Sequence, residues 1–261
     1  MARLAFSKWQ GTGNDFVVVD DRELAFSTAD LDLVRKLCDR HVGIGSDGLI
    51  LLQPQRTMDT SYHMEFFNPD GSQSYCGNGS RCAFAFWSKL TGAGEAASFT
   101  AIDGEHTAQS TNGLVRISMR DVKSIERIDD NTDHAHTGSP HLLCWVDDPE
   151  ALDIITEAHK HRYSQRFAKE GVNVNFLHWK EGGLEMRTYE RGVEGETLSC
   201  GTGVTAAALS AMSRGFITAS CNVHTRGGEL RVEARSTGQG GFEGVTLAGP
   251  AKEVFTGLID L

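Results

Sequence analysis

The stretch "SYCGNGSRCAFAFW" that begins at residue 74 has an echo in "SCGTGVTAAALS", which begins at residue 199. Each runs Cys-Gly-x-Gly into an apolar, helix-like segment, and Cys76 and Cys200 are 200 − 76 = 124 residues apart. Further echoes follow in the same order. "QGTGNDFVVVDD" (10–21) resembles "HTGSPHLLCWVDD" (136–148), with Asn14 lying 62 residues before Cys76 and Ser139 lying 61 before Cys200. "GIGSDGLILL" (43–52) resembles "KEGVNVNFLHW" (169–179), with Asp47 29 before its cysteine and Asn173 27 before its own. "MEFFNPDG" (64–71) matches "MRTYERGVEG" (186–195), and Gly104 and Gly228 each stand 28 after a cysteine. Matches in constant order at nearly constant offset mean a duplicated domain. A repeat of this length is a whole domain, too long for a solenoid unit.

Each copy reads as short strands around one apolar helix. In the first, strands are expected at 17–19, 49–52, 63–67 and 115–119, with a helix from Gly77 to Leu90. In the second, strands are expected at 142–146, 174–179, 184–189, 230–234 and 245–248, with a helix from Gly201 to Ser213. "RCAFAFWSKL" and "VTAAALSAM" are apolar on nearly every side, as a helix enclosed by strands must be. Amphipathic helices are expected at 28–40 and 148–162, and "ARSTGQGGFEG" (234–244) reads as a hairpin tip. The fold class is therefore α+β, with two pseudo-symmetric duplicated lobes, each of antiparallel-rich strands wrapped around a central apolar helix. The polar stretch "DVKSIERIDDNTDHAHT" sets the boundary near residue 122, giving lobes of residues 1–122 and 123–261. Roughly the last ten residues are expected to return to the first lobe.

Composition narrows the function. Thirty-five acidic against 25 basic residues give a net charge of −10, which disfavours nucleic acid and anionic membranes as partners. The sequence has no apolar run of membrane-spanning length, and its start lacks a signal-peptide core, so a cytoplasmic location is expected. There the six cysteines should be thiols. Without a Cys-x-x-Cys pair a zinc site is not expected. Cys38, Cys82, Cys144 and Cys221 read as small buried hydrophobes.

Cys76 and Cys200 differ from these four. A helix start offers unpaired N–H groups and the positive end of a dipole, and glycine lets a ligand reach that backbone. The result suits a carboxylate, and a thiolate at the same place is stabilised. Neither stretch is a P-loop or a dinucleotide fingerprint. Two such sites facing one another fit inversion of a carbon stereocentre. One thiolate takes a proton from one face, and the other thiol returns one to the opposite face. The helix ends stabilise the carboxylate as charge develops beside it.

With "GTGNDF" (11–16), "CDRHVGIGSDG" (38–48), "FNPDGSQSYCGNGSRC" (67–82), "GSPH" (138–141), "GVNV" (171–174), "YERGVEGETLSCGTG" (189–203) and "GPAKEVFTG" (249–257), the chain resembles the diaminopimelate epimerases over its whole length. The resemblance implies a cofactor-independent, metal-independent isomerase that interconverts LL- and meso-diaminopimelate in a cleft between its lobes. It makes Cys76 and Cys200 the acid–base thiols, with His141 and Glu190 also in the catalytic group. Gly77, Asn78, Gly201 and Thr202 would hold the reacting carboxylate. Asn14, Asn68, Asn173, Glu190 and Arg191 would bind the rest of the substrate. A homodimer is the implied assembly.

Three positions depart from the family pattern. Gly48 stands where a substrate-contacting glutamine is usual, Ser139 replaces the asparagine of "GNPH", and Phe255 replaces a tyrosine tied to dimer contacts. Other readings of the same residues are a proline- or histidine-racemase relative, a non-catalytic amino-acid-binding module and a thiol redox protein. Glu190 and Arg191 favour a substrate with a second zwitterionic end.

Overall fold

The computed structural model describes residues 3–261; the first two residues of the N-terminal segment lie outside it. In chain order the elements are β1 (Arg3–Gly11), β2 (Asn14–Asp20), α1 (Leu31–Cys38), β3 (Leu49–Gln53), β4 (Tyr62–Phe67), α2 (Gly77–Thr91), β5 (Ala96–Ala101), β6 (Gly104–Thr111) and β7 (Leu114–Ser118). They continue with β8 (Glu126–Asp129), β9 (Thr132–His136), β10 (Pro140–Trp145), α3 (Ile154–Arg162), β11 (Asn173–Lys180), β12 (Gly183–Glu190), β13 (Gly195–Thr197), α4 (Gly201–Ser213), β14 (Ser220–Thr225), β15 (Gly228–Ser236), β16 (Phe242–Gly249) and β17 (Lys252–Asp260). One compact unit runs up to Ile117 and includes Gly249–Leu261; the other is Ser118–Ala248.

The first unit pairs its strands in the order β17-β1-β2-β3-β4-β5-β6-β7. The second pairs them as β8-β9-β10-β11-β12-β14-β15-β16, with short β13 also on β12. Strand directions match step for step. Each ladder is antiparallel except at two places, β2–β3 and β4–β5 in one unit and β10–β11 and β12–β14 in the other. A parallel pair needs a crossover connection, and each is bridged by a helix: α1 and α2 in the first unit, α3 and α4 in the second. The strand equivalent to β8 is supplied to the first unit by the far end of the chain, as β17.

The ladders wrap α2 and α4. α2 touches β1, β2, β3, β4 and β6, while α4 touches strands β9 to β12, β14 and β15. Ten residues of α2 are buried, including Phe84, Phe86 and Trp87. In α4 every residue from Gly201 to Met212 is buried, with alanines in place of aromatic rings. Around α2, Tyr62 stacks on Phe99 with centroids 5.1 Å apart.

Strand register corrects one sequence match. Val17 pairs with Leu49 and His141 with Asn173, and both second partners lie 27 residues before their cysteines. The structural counterpart of Asn173 is therefore Leu49, two residues beyond Asp47. Several strands were not expected from the sequence, notably β1, β8, β9 and β17. Among the described residues no helix is long and apolar enough to cross a membrane.

Candidate active site

Both cysteines are helix N-caps in extended backbone, Cys76 at φ −128°, ψ 108° and Cys200 at φ −119°, ψ 110°. The two helix starts, one in each unit, have the same frame and different surroundings.

In the first, the Gly79 N–H donates to Cys76 Sγ at 3.3 Å, so the sulfur itself caps α2. Asn14 Oδ1 lies 3.9 Å from the same sulfur and accepts from Asn78 Nδ2 at 3.2 Å. The Asn14 amide is held in that sense because its Nδ2 donates to Asp47 Oδ2 at 2.8 Å. Asp47 is fixed by Arg40 at 2.7 Å, and Arg40 also reaches Asp15 at 2.6 Å. Lys8 completes the cluster, 2.5 Å from Asp15. Burial alone would raise the Asp15 carboxyl, but hydrogen bonds from Arg40 and Lys8 outweigh it and hold the group below the usual range. A charged chain thus runs from surface Arg40 through Asp47 to the amide that faces the thiol.

In the second, Cys200 Sγ stands 3.5 Å from Thr202 Oγ1 and makes no side-chain cap hydrogen bond. Thr202 Oγ1 lies 2.9 Å from His141 Nε2, and Ser139 Oγ lies 2.9 Å from the same nitrogen. Asn175 Nδ2 donates to the Leu142 carbonyl at 3.0 Å and points at His141 Nδ1 at 3.2 Å, while Thr188 Oγ1 donates to Asn175 Oδ1. That arrangement makes Nδ1 the acceptor and leaves the proton on Nε2, toward the hydroxyls. His141 is fully buried, and desolvation pushes its pKa down to about 3, so the ring is neutral at physiological pH. Its Nε2 faces the Ser139 and Thr202 hydroxyls at the same distance.

The helix glycines record the same difference. A Cβ at Gly79 would meet Ile50 Cδ1 at 3.3 Å and Cys76 Sγ at 3.5 Å. At Gly203 it would meet Asn175 Oδ1 at 2.8 Å and His141 Cε1 at 3.2 Å. Both cysteines sit against a glycine that lets a strand close in, an apolar strand in one unit and a polar one in the other.

Asn173 Nδ2 donates to Ser139 Oγ at 3.1 Å, and Asn173 Oδ1 accepts the Arg191 N–H at 2.9 Å. Glu190 accepts from the Thr197 hydroxyl. The Arg191 guanidinium donates to the Glu170 carbonyl at 2.7 Å. It lines a cavity of about 350 Å³ with His134, His136, Gly138 and Arg166. Asn68 is differently placed: its amide donates to the Ser72 carbonyl and to the Ser72 and Ser74 hydroxyls, holding its own turn. Gly77, Asn78, Gly201 and Thr202 form the buried first turns of α2 and α4.

The departures have physical reasons. A side chain at Gly48 would strike Phe66 Cε2 at 2.4 Å, so no glutamine fits there. Ser139 is knitted into the His141 and Asn173 network. Phe255 is half exposed and edge-on to Phe6. Burial pushes the Cys82, Cys144 and Cys221 thiols up to about 12 and raises Cys38 as well, in keeping with inert packing residues.

Sequence reasoning missed Asn175, Thr188 and Arg81. Asn175 had a signal: in "NVN" the two asparagines share one strand face. Arg81 had one too, as the single charge at the head of an otherwise apolar helix.

Comparison with known proteins gives the sequence its family. The model of the family described as diaminopimelate epimerase matches the chain twice, over residues 6–127 and 134–254. The chain belongs to the diaminopimelate epimerase family. A Flavobacterium psychrophilum diaminopimelate epimerase is 41% identical, covering 95% of this chain and 97% of its own length. One from Aquifex aeolicus is 37% identical, covering 87% and 88%. Among solved structures, a hydroxyproline epimerase from Agrobacterium vitis superposes with a TM-score of 0.74 at 17% identity, covering 99% of this chain and 93% of that one. A Bacillus anthracis phenazine biosynthesis protein of the PhzF family also gives 0.74, at 12% identity and full coverage of both chains. At such identity these two share the fold alone. The double match of the diaminopimelate epimerase model restates the duplication seen in the two ladders.

Proposed function

We propose that this chain interconverts LL- and meso-2,6-diaminopimelate by passing a proton between Cys76 and Cys200. The observation that carries the reading is the pair of cysteines, each at the N-cap position of a buried glycine-led helix in one of two equivalent units. In each direction one sulfur, as thiolate, removes the α-proton from one face of the carbon. The other, as thiol, delivers its proton to the opposite face, and the roles reverse for the return. The N–H groups of Gly77 and Asn78 and of Gly201 and Thr202 are the donors available to the substrate carboxylate as the carbanion forms. Asn14 Oδ1 and Thr202 Oγ1 each give a sulfur an acceptor to face while it is protonated.

Arg191 carries the planar fork suited to a second carboxylate, and Glu190 the charge suited to an ammonium. With Asn14 and Asn173 they select a long substrate with a zwitterion at its far end, and no cofactor is required. Six free thiols suit a reducing cytoplasm.

The test is incubation with LL-diaminopimelate, proline and 4-hydroxyproline under reductant, with chiral separation of the products. Turnover of diaminopimelate alone supports the reading. Turnover of the cyclic imino acids alone would place the chain with the proline-type racemases. Activity that vanishes on adding reductant would make it a redox protein.

A further inference from the structure

Arg81 is the one long charged side chain buried without a charged partner at the head of α2. It is fully buried, and its Nη1 has no hydrogen-bond partner. Its other nitrogens reach only neutral acceptors, the Thr12 hydroxyl and the Pro250 carbonyl, both at 3.4 Å. A helical side chain leans back over the turn before its own Cα, and the contacts agree. A Cβ at Gly11 would lie 3.1 Å from Arg81 Nη2 and 3.5 Å from the Asn78 carbonyl, which places the guanidinium beside the first turn of the helix that Cys76 begins.

A buried cation without a counter-charge is strongly destabilising, so the acidic groups around it matter. On α2 and just before it these are Tyr75, Cys76 and Cys82. Burial holds Tyr75 and Cys82 neutral, raising the phenol far above its ordinary value and the Cys82 thiol to about 12. The strands packed on α2 offer nothing else. Lys8 is paired with Asp15, Arg3 with Asp260, Asp20 with Arg22, His63 and Arg56 with Glu65, and His106 with Asp103. Glu105 accepts from Thr57, and β3 carries no charge. Cys76 remains, half-buried and already receiving the Gly79 N–H.

The second unit has no such device. The residue equivalent to Arg81, 124 positions on, is Thr205, whose hydroxyl donates to the Gly201 carbonyl at 3.0 Å. No charged residue occurs along α4, and His141 beside Thr202 is neutral.

We propose that Arg81 is a positioning residue whose guanidinium is the standing counter-charge of the Cys76 thiolate, so that the enzyme rests with Cys76 ionised and Cys200 protonated. This deepens the two-thiol reading and rests on it, but its test reads ionisation and not turnover, so the two can fail separately. Five residues along a helix amount to about 7.5 Å of rise, and attraction over such a distance inside a protein is worth roughly a tenfold change in ionisation.

The experiment follows iodoacetamide alkylation of the intact protein across pH, with each cysteine quantified by peptide mass mapping. In the wild type the Cys76 midpoint should lie about one pH unit or more below that of Cys200. Arg81→Gln should raise the Cys76 midpoint by about one unit and leave Cys200 in place, and Arg81→Lys should restore most of the shift. A folded Arg81→Gln protein with an unmoved Cys76 midpoint would overturn the proposal. So would a wild-type Cys200 midpoint at or below that of Cys76, a comparison that stands even when Arg81→Gln does not fold.

Discussion

The two units hold their cysteines in the same backbone and surround them differently. Around Cys76 the neighbours are charged at one remove: Arg40, Asp47, Asp15 and Lys8 steer an asparagine, and Arg81 lies under the helix start. Around Cys200 they are neutral and buried: His141, Asn175, Thr188 and Thr202 link the strands to the start of α4 by hydrogen bonds. Val17 and Leu49 occupy in one ladder the register positions that His141 and Asn173 occupy in the other. Duplication supplied two equivalent helix starts, and divergence gave one charged surroundings and the other polar neutral ones. For a reaction that needs a base and an acid at the same moment, that inequivalence is useful, because two identical thiols would not be biased toward opposite protonation states.

Removing either thiol should have the largest effect. Cys76→Ala and Cys200→Ala should both fold and both lose epimerisation by about 10³-fold or more, measured by chiral separation of LL and meso forms. A variant that keeps substantial activity would show that one arm suffices.

Arg191→Lys keeps the charge and loses the fork. It should lower kcat/KM for diaminopimelate by roughly tenfold, and Arg191→Ala by more. Unchanged kinetics in both would remove Arg191 from the substrate site.

The glycines test the contrast in packing. Gly203→Ala drives a methyl into Asn175 Oδ1, within 2.8 Å, where the hydrogen-bonded network leaves no slack. A loss of about 2–3 kcal/mol is expected in denaturant unfolding. Gly79→Ala meets the end of the Ile50 side chain at 3.3 Å. It should stay within about 1 kcal/mol of wild type, because the helix propensity of alanine offsets the contact. Equal effects would mean that the two helix starts are packed alike.

The last effect is spread over pH. His141 is buried neutral, with its pKa depressed to about 3 from an ordinary 6.5. The unfolded chain therefore binds the extra proton first, and stability present above pH 6.5 falls as pH drops toward 3, by roughly 1 kcal/mol per unit. His141→Gln should flatten that slope in thermal melts across this range. An unaltered slope would mean that other groups govern acid unfolding.

Much of this was legible in the sequence because glycine and cysteine fix geometry locally. The Cys-Gly-x-Gly pairs located both helix starts, and α4 ends at Ser213 as the apolar pattern says. Strands β8 and β17 were not legible, since exposed residues dominate both and leave no alternation to read. β1 hides its pattern by burying Ser7 and Lys8, whose polar groups are met by Glu253 and Trp9 and by Asp15. Asn68 reads equally well as a ligand or as a turn former, and its bonds to Ser72 and Ser74 are those of a turn.

The central claim is that one thiol takes the proton and a different thiol gives one back. Proton NMR of LL-diaminopimelate with the enzyme in D₂O, followed at early conversion, tests it most directly. The meso product should carry deuterium at the inverted carbon from the first turnovers, while unreacted LL substrate keeps its α-proton. Meso product that retains the substrate's own proton, or deuterium entering unreacted LL substrate as fast as product forms, would point to one group serving both faces and contradict the account.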